Sequence, residues 1–169
     1  MKNSVFHHFS KRLRLVALPL LSIVSAPGAE PALGKPADNH IFAQTLVNEL
    51  ARANPDVILI GFHAIPPGGG DEMMIACTHD LIGEKDDEGD LAVVALQQTV
   101  LALNLKDPRK YRVYLPLKDS AGQSIGLVTL NFVYDPKYDE THYCSRAVEL
   151  RNTVARRIPN FAALFQPAH

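Results

Sequence analysis

The sequence predicts an α+β domain with a central antiparallel sheet, and three observations lead to that prediction. Two apolar stretches, 111–117 and 125–134, are joined by a short polar linker that contains Asp and Gly, which is typical of a β-hairpin. A second pair of apolar stretches, 57–64 and 73–78, is separated by a Pro/Gly-rich loop and is expected to pair as well. Amphipathic helices are predicted at both ends of the domain, so helices and strands are segregated along the chain.

The amino-terminal residues have the pattern of a secretory signal peptide. A basic start without acids is followed by the apolar run 15–24 and by small residues up to Ala29. The run is shorter than the roughly 20 residues that span a bilayer. We therefore expect a periplasmic or secreted protein from which residues 1–29 are removed. A disordered leader at 30–39 and one domain at 40–165 should follow.

The charge balance argues against nucleic acid as a partner. The chain has 17 basic and 18 acidic side chains, and four of the basic ones lie in the predicted signal peptide. The rest of the chain therefore carries 13 basic against 18 acidic side chains, a net charge of −5 with His neutral. A mildly acidic chain without a basic cluster is poorly suited to nucleic acid or anionic lipid. After cleavage, no segment is expected to be embedded in a membrane.

Apolar periodicity predicts the first helix and the first strand. The apolar positions in 40–54 are spaced three and four apart, as in an amphipathic helix. They are Phe42, Leu46, Leu50 and Ala53. Asn39 is placed to cap this helix, and the Asn54-Pro55 step to end it. The nearly continuous apolar stretch 57–64 then predicts a strand that is buried on both faces.

The middle of the chain is less regular. The glycine-rich loop 65–70 lacks the Lys-Ser/Thr of a phosphate-binding loop, and the acidic stretch 83–90 lacks the spacing of a calcium loop. We interpret 83–90 as a solvated charged turn. A short helix is expected over 91–101, followed by a short strand near 100–105 and a turn at 107–108.

A second amphipathic helix is predicted to close the domain. Its apolar face consists of Tyr143, Ala147, Leu150, Val154 and Ile158. Pro159 ends it. We expect the amino-terminal and carboxy-terminal helices to pack together on one face of the sheet, because each has a single apolar face to bury.

Two stretches resemble a known family. The run 75–87, Ile-Ala-Cys-Thr-His-Asp-Leu-Ile-Gly-Glu-Lys-Asp-Asp, passes from a strand through small polar residues into an Ile-Gly-Glu-Lys turn. The block 115–126, Leu-Pro-Leu-Lys-Asp-Ser-Ala-Gly-Gln-Ser-Ile-Gly, has the form of a closing hairpin. Both are similar to the corresponding parts of extracytoplasmic Cache (PAS-like) sensor domains. The resemblance covers residues 40–135 and implies a Cache-like sheet with a ligand pocket.

The chain departs from the Cache pattern in two respects. Cache sensors usually have flanking transmembrane helices and an output domain, which this sequence does not predict, so we expect a free-standing domain. The aromatic and arginine pattern with which some Cache domains hold amino acids is also not recognisable. The resemblance therefore implies a fold and a pocket position, and leaves the ligand open.

Strand alternation selects five candidate ligand-binding residues. Side chains on a strand point alternately to the two faces of the sheet. The more polar face of each strand carries His63, Arg112, Tyr114, Thr129 and Asn131. These donors beside apolar walls suit a small-molecule pocket, with Arg112 available to an anionic group. The alternative is that this face meets solvent or the glycine-rich loop, with His63 at a strand end.

The two cysteines, Cys77 and Cys144, leave three alternatives open. A disulfide between them is expected in an oxidising compartment. The pairs Cys77-Thr78-His79 and His142-Tyr143-Cys144 could instead hold zinc, although a spacing of one residue is unusual for structural zinc sites. The third alternative is two unpaired thiols.

The sequence favours a binding function over catalysis. It has no Gly-x-Ser-x-Gly elbow and no His-Glu-x-x-His pair, so no catalytic residue, cofactor or metal ligand is assigned. We expect an exported, sensor-like domain that binds a small molecule. One alternative is a docking module for a membrane receptor or transporter. The other is a thiol-dependent or metal-dependent hydrolase.

Overall fold

The computed structural model describes residues 40–103, 107 and 109–168. In this part of the chain the strands are β1 (Val57–Ala64), β2 (Met73–Cys77), β3 (Val100–Leu103), β4 (Lys110–Lys118) and β5 (Ser124–Val133). The helices are α1 (Phe42–Ala53), α2 (Glu88–Leu96) and α3 (Glu140–Ala155), followed by a 3-10 helix at Phe161–Phe165. The predicted signal peptide and leader lie outside the described residues, as do positions 104–106 and 108. None of the described helices is long and apolar enough to cross a membrane.

The five strands form one antiparallel sheet in the order β2-β1-β5-β4-β3. β4 and β5 form the predicted hairpin, and β1 and β2 pair across the Pro/Gly-rich loop. The predicted α+β class with an antiparallel sheet is thereby confirmed. β1 lies between β2 and β5, so both of its edges are hydrogen-bonded, and side chains on both of its faces are buried. This position explains why its sequence is apolar almost throughout.

Alternate residues of the strands join α1 and α3 in one hydrophobic core. The core positions of β4 and β5 are Val113, Leu115, Leu117, Val128, Leu130 and Phe132. The helices contribute Ala43, Leu46, Val47 and Leu50 from α1, and Tyr143, Ala147, Leu150 and Val154 from α3. Burying one large aliphatic or aromatic side chain is worth about 1.5–3 kcal/mol. This core therefore supplies the main stabilising contribution of the domain.

A buried glutamine links α1 to the end of β2. The Gln44 side chain donates a hydrogen bond to the carbonyl oxygen of Cys77 at 2.9 Å and accepts one from its backbone N–H at 3.0 Å. The residue is only 2% exposed. An amide side chain offers both a donor and an acceptor, so it can pair with the backbone of an edge strand as a neighbouring strand would. We call this pair of bonds the Gln44–Cys77 link.

Stacked tyrosines attach α3 to the opposite end of the sheet. The rings of Tyr111 and Tyr143 stack with centroids 4.6 Å apart. The Tyr143 hydroxyl accepts a hydrogen bond from the backbone N–H of Asp135 at 2.7 Å. The polar end of Tyr143 is therefore satisfied where its ring is buried, as a buried tyrosine requires.

The structure corrects the predicted ends of two helices. α2 begins at Glu88, inside the stretch predicted to be a turn, because Asp87 and Asp90 form a reciprocal capping box at its start. It ends at Leu96, before the predicted boundary, and Gln97 has a left-handed φ of 55°. α3 ends at Ala155, so Ile158 lies beyond the helix although it is fully buried.

The face of the sheet away from the core is partly covered by α2. This helix contacts β4 and β5, and Val93 is its buried residue. Residues 81–90, which lead into α2, approach the same face, because several of them share a cavity with Arg112 and Asn131. The two faces of the sheet thus differ: the core face is filled by apolar side chains, and the opposite face has a cavity.

A substitution at Gly126 tests how closely the backbones of β1 and β5 approach each other. Its φ is +149°, and an added Cβ would overlap the carbonyl oxygen of His63. We expect Gly126→Ala to lower the free energy of unfolding by more than about 3 kcal/mol, because the strands must separate. Gly122→Ala is the matched control, since Gly122 also has a positive φ, of +81°, but open space around it. That variant should lose about 1–2 kcal/mol, from backbone strain alone. Urea unfolding measures both, and equal losses would contradict the close approach.

Candidate functional site

A cavity of about 290 Å³ lies on the sheet face that does not carry the hydrophobic core. All five residues selected by strand alternation line it: His63, Arg112, Tyr114, Thr129 and Asn131. Leu59, Met74 and Leu81 add apolar surface, and Glu84, Lys85, Asp87 and Asp90 form the outer wall. The structure therefore brings together the residues that the sequence placed on separate strands.

Strand register brings the inner wall together. Arg112 of β4 is directly opposite Asn131 of β5, and Tyr114 is opposite Thr129. On the other side of β5, Thr129 pairs with Gly61 of β1, two residues before His63. Directly opposed side chains in an antiparallel pair have Cβ atoms about 4.5–5.5 Å apart. Three adjacent strands thus present a continuous polar patch, which we call the inner wall.

His63 is held from both sides of its ring. Its Nδ1 lies 2.6 Å from Oδ1 of Asp86, and its Nε2 lies 3.2 Å from the Thr129 hydroxyl. The side chains of His63 and Asp86 are 7% and 1% exposed. When Nδ1 carries the proton and donates to Asp86, Nε2 is an acceptor for the hydroxyl of Thr129. The imidazole therefore has one fixed orientation at the edge of the cavity.

Three buried polar atoms at this site have no hydrogen-bond partner among the described residues. They are Oδ2 of Asp86, Nε of Arg112 and Oδ1 of Asn131. The fourth such atom in the described part of the chain, Oγ of Ser124, lies in the hairpin strand. A buried polar group without a partner costs about 1–3 kcal/mol. Three of them in one place make this face the candidate position for a bound polar group.

The outer wall is strongly acidic. Burial raises the pKa of Asp90, and the charges of Asp87 and Asp86 raise it further. Outside this wall, burial also raises the pKa of Glu72, with the charge of Asp86 adding to the effect. The Lys85 ammonium points to Asp71, 2.5 Å away, and not to these acids. The cavity is therefore bounded by a guanidinium on its inner wall and by carboxylates on its outer wall.

One group of side chains has the composition of a metal site. Potential ligand atoms of His63, Asp86 and Asp90 all lie within 4.8 Å of one another, and no other such group occurs in residues 40–103, 107 and 109–168. The zinc set considered from the sequence, Cys77, His79, His142 and Cys144, is therefore not gathered. His142 instead stacks on the ring of Tyr138, with centroids 3.8 Å apart.

The cysteines are free in this structure. Cys77 is buried at the end of β2, and Cys144 is half-buried in α3. The disulfide Cys77–Cys144, one of the three alternatives, is not formed here. Burial raises the pKa of the Cys77 thiol, whereas a nucleophilic cysteine needs a lowered pKa. The thiol-hydrolase alternative therefore receives no support from Cys77.

The sequence missed the outer wall of the cavity and the buried Asp86 next to it. Asp86 and Asp90 were assigned to a solvated turn, although Asp86 is buried against His63, which lies 23 residues earlier in the chain. The available signal was the Asp87-Glu88-Gly89-Asp90 spacing of a capping box, which starts a helix here. No local pattern shows that this helix start folds over the polar face of β4 and β5.

Fold and site together define an α+β domain with a polar, ligand-sized cavity on one face of an antiparallel sheet. No protein-family model matches the chain, and no curated protein matches it.

Solved structures similar to this chain include three ligand-responsive or regulatory proteins of bacteria. One is the inducer-binding domain of the PobR transcription factor from Acinetobacter, a double mutant in complex with 3-hydroxybenzoic acid, with 8% identity and a TM-score of 0.45 over 70% of this chain and 95% of that one. The Agobacterium tumefaciens repressor BlcR has 9% identity and a TM-score of 0.44 over 71% of this chain and 68% of that one. The carboxy-terminal domain of the E. coli transcriptional regulator KdgR has 14% identity and a TM-score of 0.45 over 69% of this chain and 93% of that one. Sequence identities and TM-scores this low support no conclusion about the ligand of this chain.

The two thiols should differ in reactivity. In native protein without reductant, Cys144 should react with a thiol reagent quickly and Cys77 slowly, because Cys77 is fully buried and its pKa is raised. In denaturant both should react. A thiol count with Ellman's reagent measures this, and Cys144→Ser is the control that should remove the fast phase. A count of zero in denaturant would show that the disulfide forms after all.

Proposed function

We propose that this protein is an exported, sensor-like domain of the Cache/PAS type that binds a small polar molecule carrying an anionic group. The observation that carries the proposal is the inner wall. There Arg112 and Asn131 stand side by side on a cavity, and each has a buried polar atom without a partner in the described chain.

The cavity's size and lining support a small metabolite. Its volume, about 290 Å³, is just below the roughly 300–1,000 Å³ typical of ligand pockets. The Arg112 guanidinium is planar and can bind a carboxylate or phosphate through two hydrogen bonds. Its Nη1 already donates to the Tyr114 hydroxyl at 3.3 Å, which orients the group and leaves Nε for a ligand. Leu59, Met74 and Leu81 suit a short apolar part of the same molecule.

The Cache/PAS assignment and the export have separate support. The assignment is favoured by one antiparallel sheet whose strands follow an amino-terminal helix and precede a carboxy-terminal helix along the chain. It is also favoured by the closing hairpin of β4 and β5. Export is favoured by the basic, apolar and small-residue order of residues 1–29. The periplasm or the cell exterior is therefore the proposed location.

A docking module is the second candidate function, because apolar residues are exposed near the sheet edge. Leu91, Leu96 and Val100 are 45%, 62% and 42% exposed, and Val100 begins the edge strand β3. Exposed apolar surface beside the outer edge of a sheet is suited to a protein partner. Ligand screening separates the two candidates.

The screening experiment has two steps. Native mass spectrometry of protein taken from its own compartment weighs any retained ligand directly. A thermal-shift screen of polar metabolites, each carboxylate compared with its methyl ester, then tests the role of the anionic group. We expect stabilisation by one class of carboxylate or phosphate and none by the matched ester. No shift with any compound would favour docking over ligand binding.

Replacing Arg112 should weaken binding of the compound that the screen identifies. We expect Arg112→Gln to raise Kd about tenfold or more, since a hydrogen bond to a charged group is worth about 1.5–3 kcal/mol. Arg52→Gln is the matched control, because Arg52 is exposed in the last turn of α1, which joins the core on the opposite face. Isothermal titration calorimetry measures both variants. Unchanged affinity in Arg112→Gln would place the ligand elsewhere.

A further inference from the structure

We propose that His63, Asp86 and Asp90 bind one divalent transition-metal ion at the edge of the cavity. This site goes beyond the proposed function and does not depend on it, because an ion can bind there whether or not an organic molecule enters the cavity. The three residues come from different parts of the chain: His63 from β1, Asp86 from the loop before α2, and Asp90 from the first turn of α2.

The distances suit one ion after a small adjustment of side chains. The ligand atoms of the three residues lie within 4.8 Å of one another. Two ligands that bind one zinc ion at about 2.1 Å each can be at most about 4.2 Å apart. The Asp90 carboxylate lies at the cavity surface. A rotation of this carboxylate can bring its oxygen within the distance at which one ion is shared.

The second, independent observation is the state of Asp86. Its side chain is 1% exposed, and Oδ1 is occupied by His63. No described residue offers a hydrogen bond to Oδ2. A carboxylate removed from water needs a partner for each oxygen, or its burial is costly. A cation beside Oδ2 satisfies that need, and nothing else in the described surroundings does.

His63 is arranged as a metal ligand with an outer partner. If Nδ1 binds the ion, the ring proton lies on Nε2, which then donates to the Thr129 hydroxyl 3.2 Å away. Metal-binding histidines almost always donate their other ring N–H to such a partner, which fixes the ring orientation. The short hydrogen bond from Nδ1 to Oδ1 of Asp86 occupies the direction that the ion would take, so binding replaces it, and the ion becomes the partner of both oxygens of that carboxylate.

Asp90 is oriented by the capping box. Its Oδ2 accepts a hydrogen bond from the backbone N–H of Asp87 at 3.3 Å. This bond leaves Oδ1 available to an ion. Two carboxylates and a neutral imidazole balance the charge of a divalent cation, and this mixture of oxygen and nitrogen ligands suits zinc, iron or manganese. Three protein ligands leave further coordination positions open, as in sites where a small molecule completes the coordination.

The test uses Zn²⁺ as the probe on the purified full-length protein after removal of metals by a chelator. Calorimetry should show one ion per chain for the unaltered protein. Asp90→Asn should raise the Kd at least about tenfold, because loss of a direct ligand costs no less than loss of an outer partner. Glu88→Gln is the matched control: it removes the same charge from the first turn of α2, and Glu88 is exposed and does not line the cavity. Its Kd should change less than about threefold, as expected for an exposed charge.

Two results of this titration would overturn the site. One is the absence of Zn²⁺ binding. The other is binding that Asp90→Asn and Glu88→Gln weaken equally or leave unchanged, which would show general attraction by acids or binding at the cysteines and other histidines.

A spectroscopic measurement covers the case in which Asp90→Asn fails to fold. Nitrogen chemical shifts of the histidine rings in the unaltered protein report which ring atom binds the ion. Addition of Zn²⁺ should move Nδ1 of His63, with its Nε2 remaining protonated toward Thr129. Movement of another histidine, or of none, would also overturn the proposal.

Discussion

The register of β1 against β5 is the constraint on which both faces of the sheet depend. Because strand side chains alternate, a slip of one residue would turn Ile60 and Phe62 toward the cavity and His63 toward the core. Gly126 holds this register in place, since its missing side chain lets the backbone of His63 come close. The hydrocarbon core and the polar inner wall are therefore two results of one strand pairing, and neither can be changed without the other.

The two faces make opposite contributions to stability. On the core side, apolar residues such as Leu46 of α1 and Leu130 of β5 are fully buried together, and the polar Gln44 of α1 is hydrogen-bonded. On the cavity side, Asp86, Arg112 and Asn131 each keep a buried polar atom unsatisfied by the described chain. Structures keep such atoms at the expense of stability where binding uses them. The apolar face thus provides the stability that the polar face gives up.

The fold was largely predictable because its signals are local. The apolar stretch at β1, the Asp/Gly turn between β4 and β5, and the periodicity of α1 each depend on neighbouring residues only. The inner wall followed from the same alternation. The outer wall and the adjacent Asp86 did not, because the contact of Asp86 with His63 joins residues 23 positions apart and leaves no periodic trace. Ile158 shows that a periodic pattern can also extend a predicted helix too far. Its spacing matched the apolar face of α3, but the helix ends at Ala155 and Ile158 is buried beyond that end.

The Gln44–Cys77 link has a mechanical consequence. Met74, three residues before Cys77 on the same strand, lines the cavity opposite His63. Any occupant that displaces Met74 pushes on β2, and β2 is tied to α1 by the two hydrogen bonds of the buried Gln44 amide in addition to apolar packing. The edge strand and the start of the first helix are consequently coupled. Displacement of Met74 would be transmitted along β2 to Cys77 and from there to Gln44, in the first turn of α1.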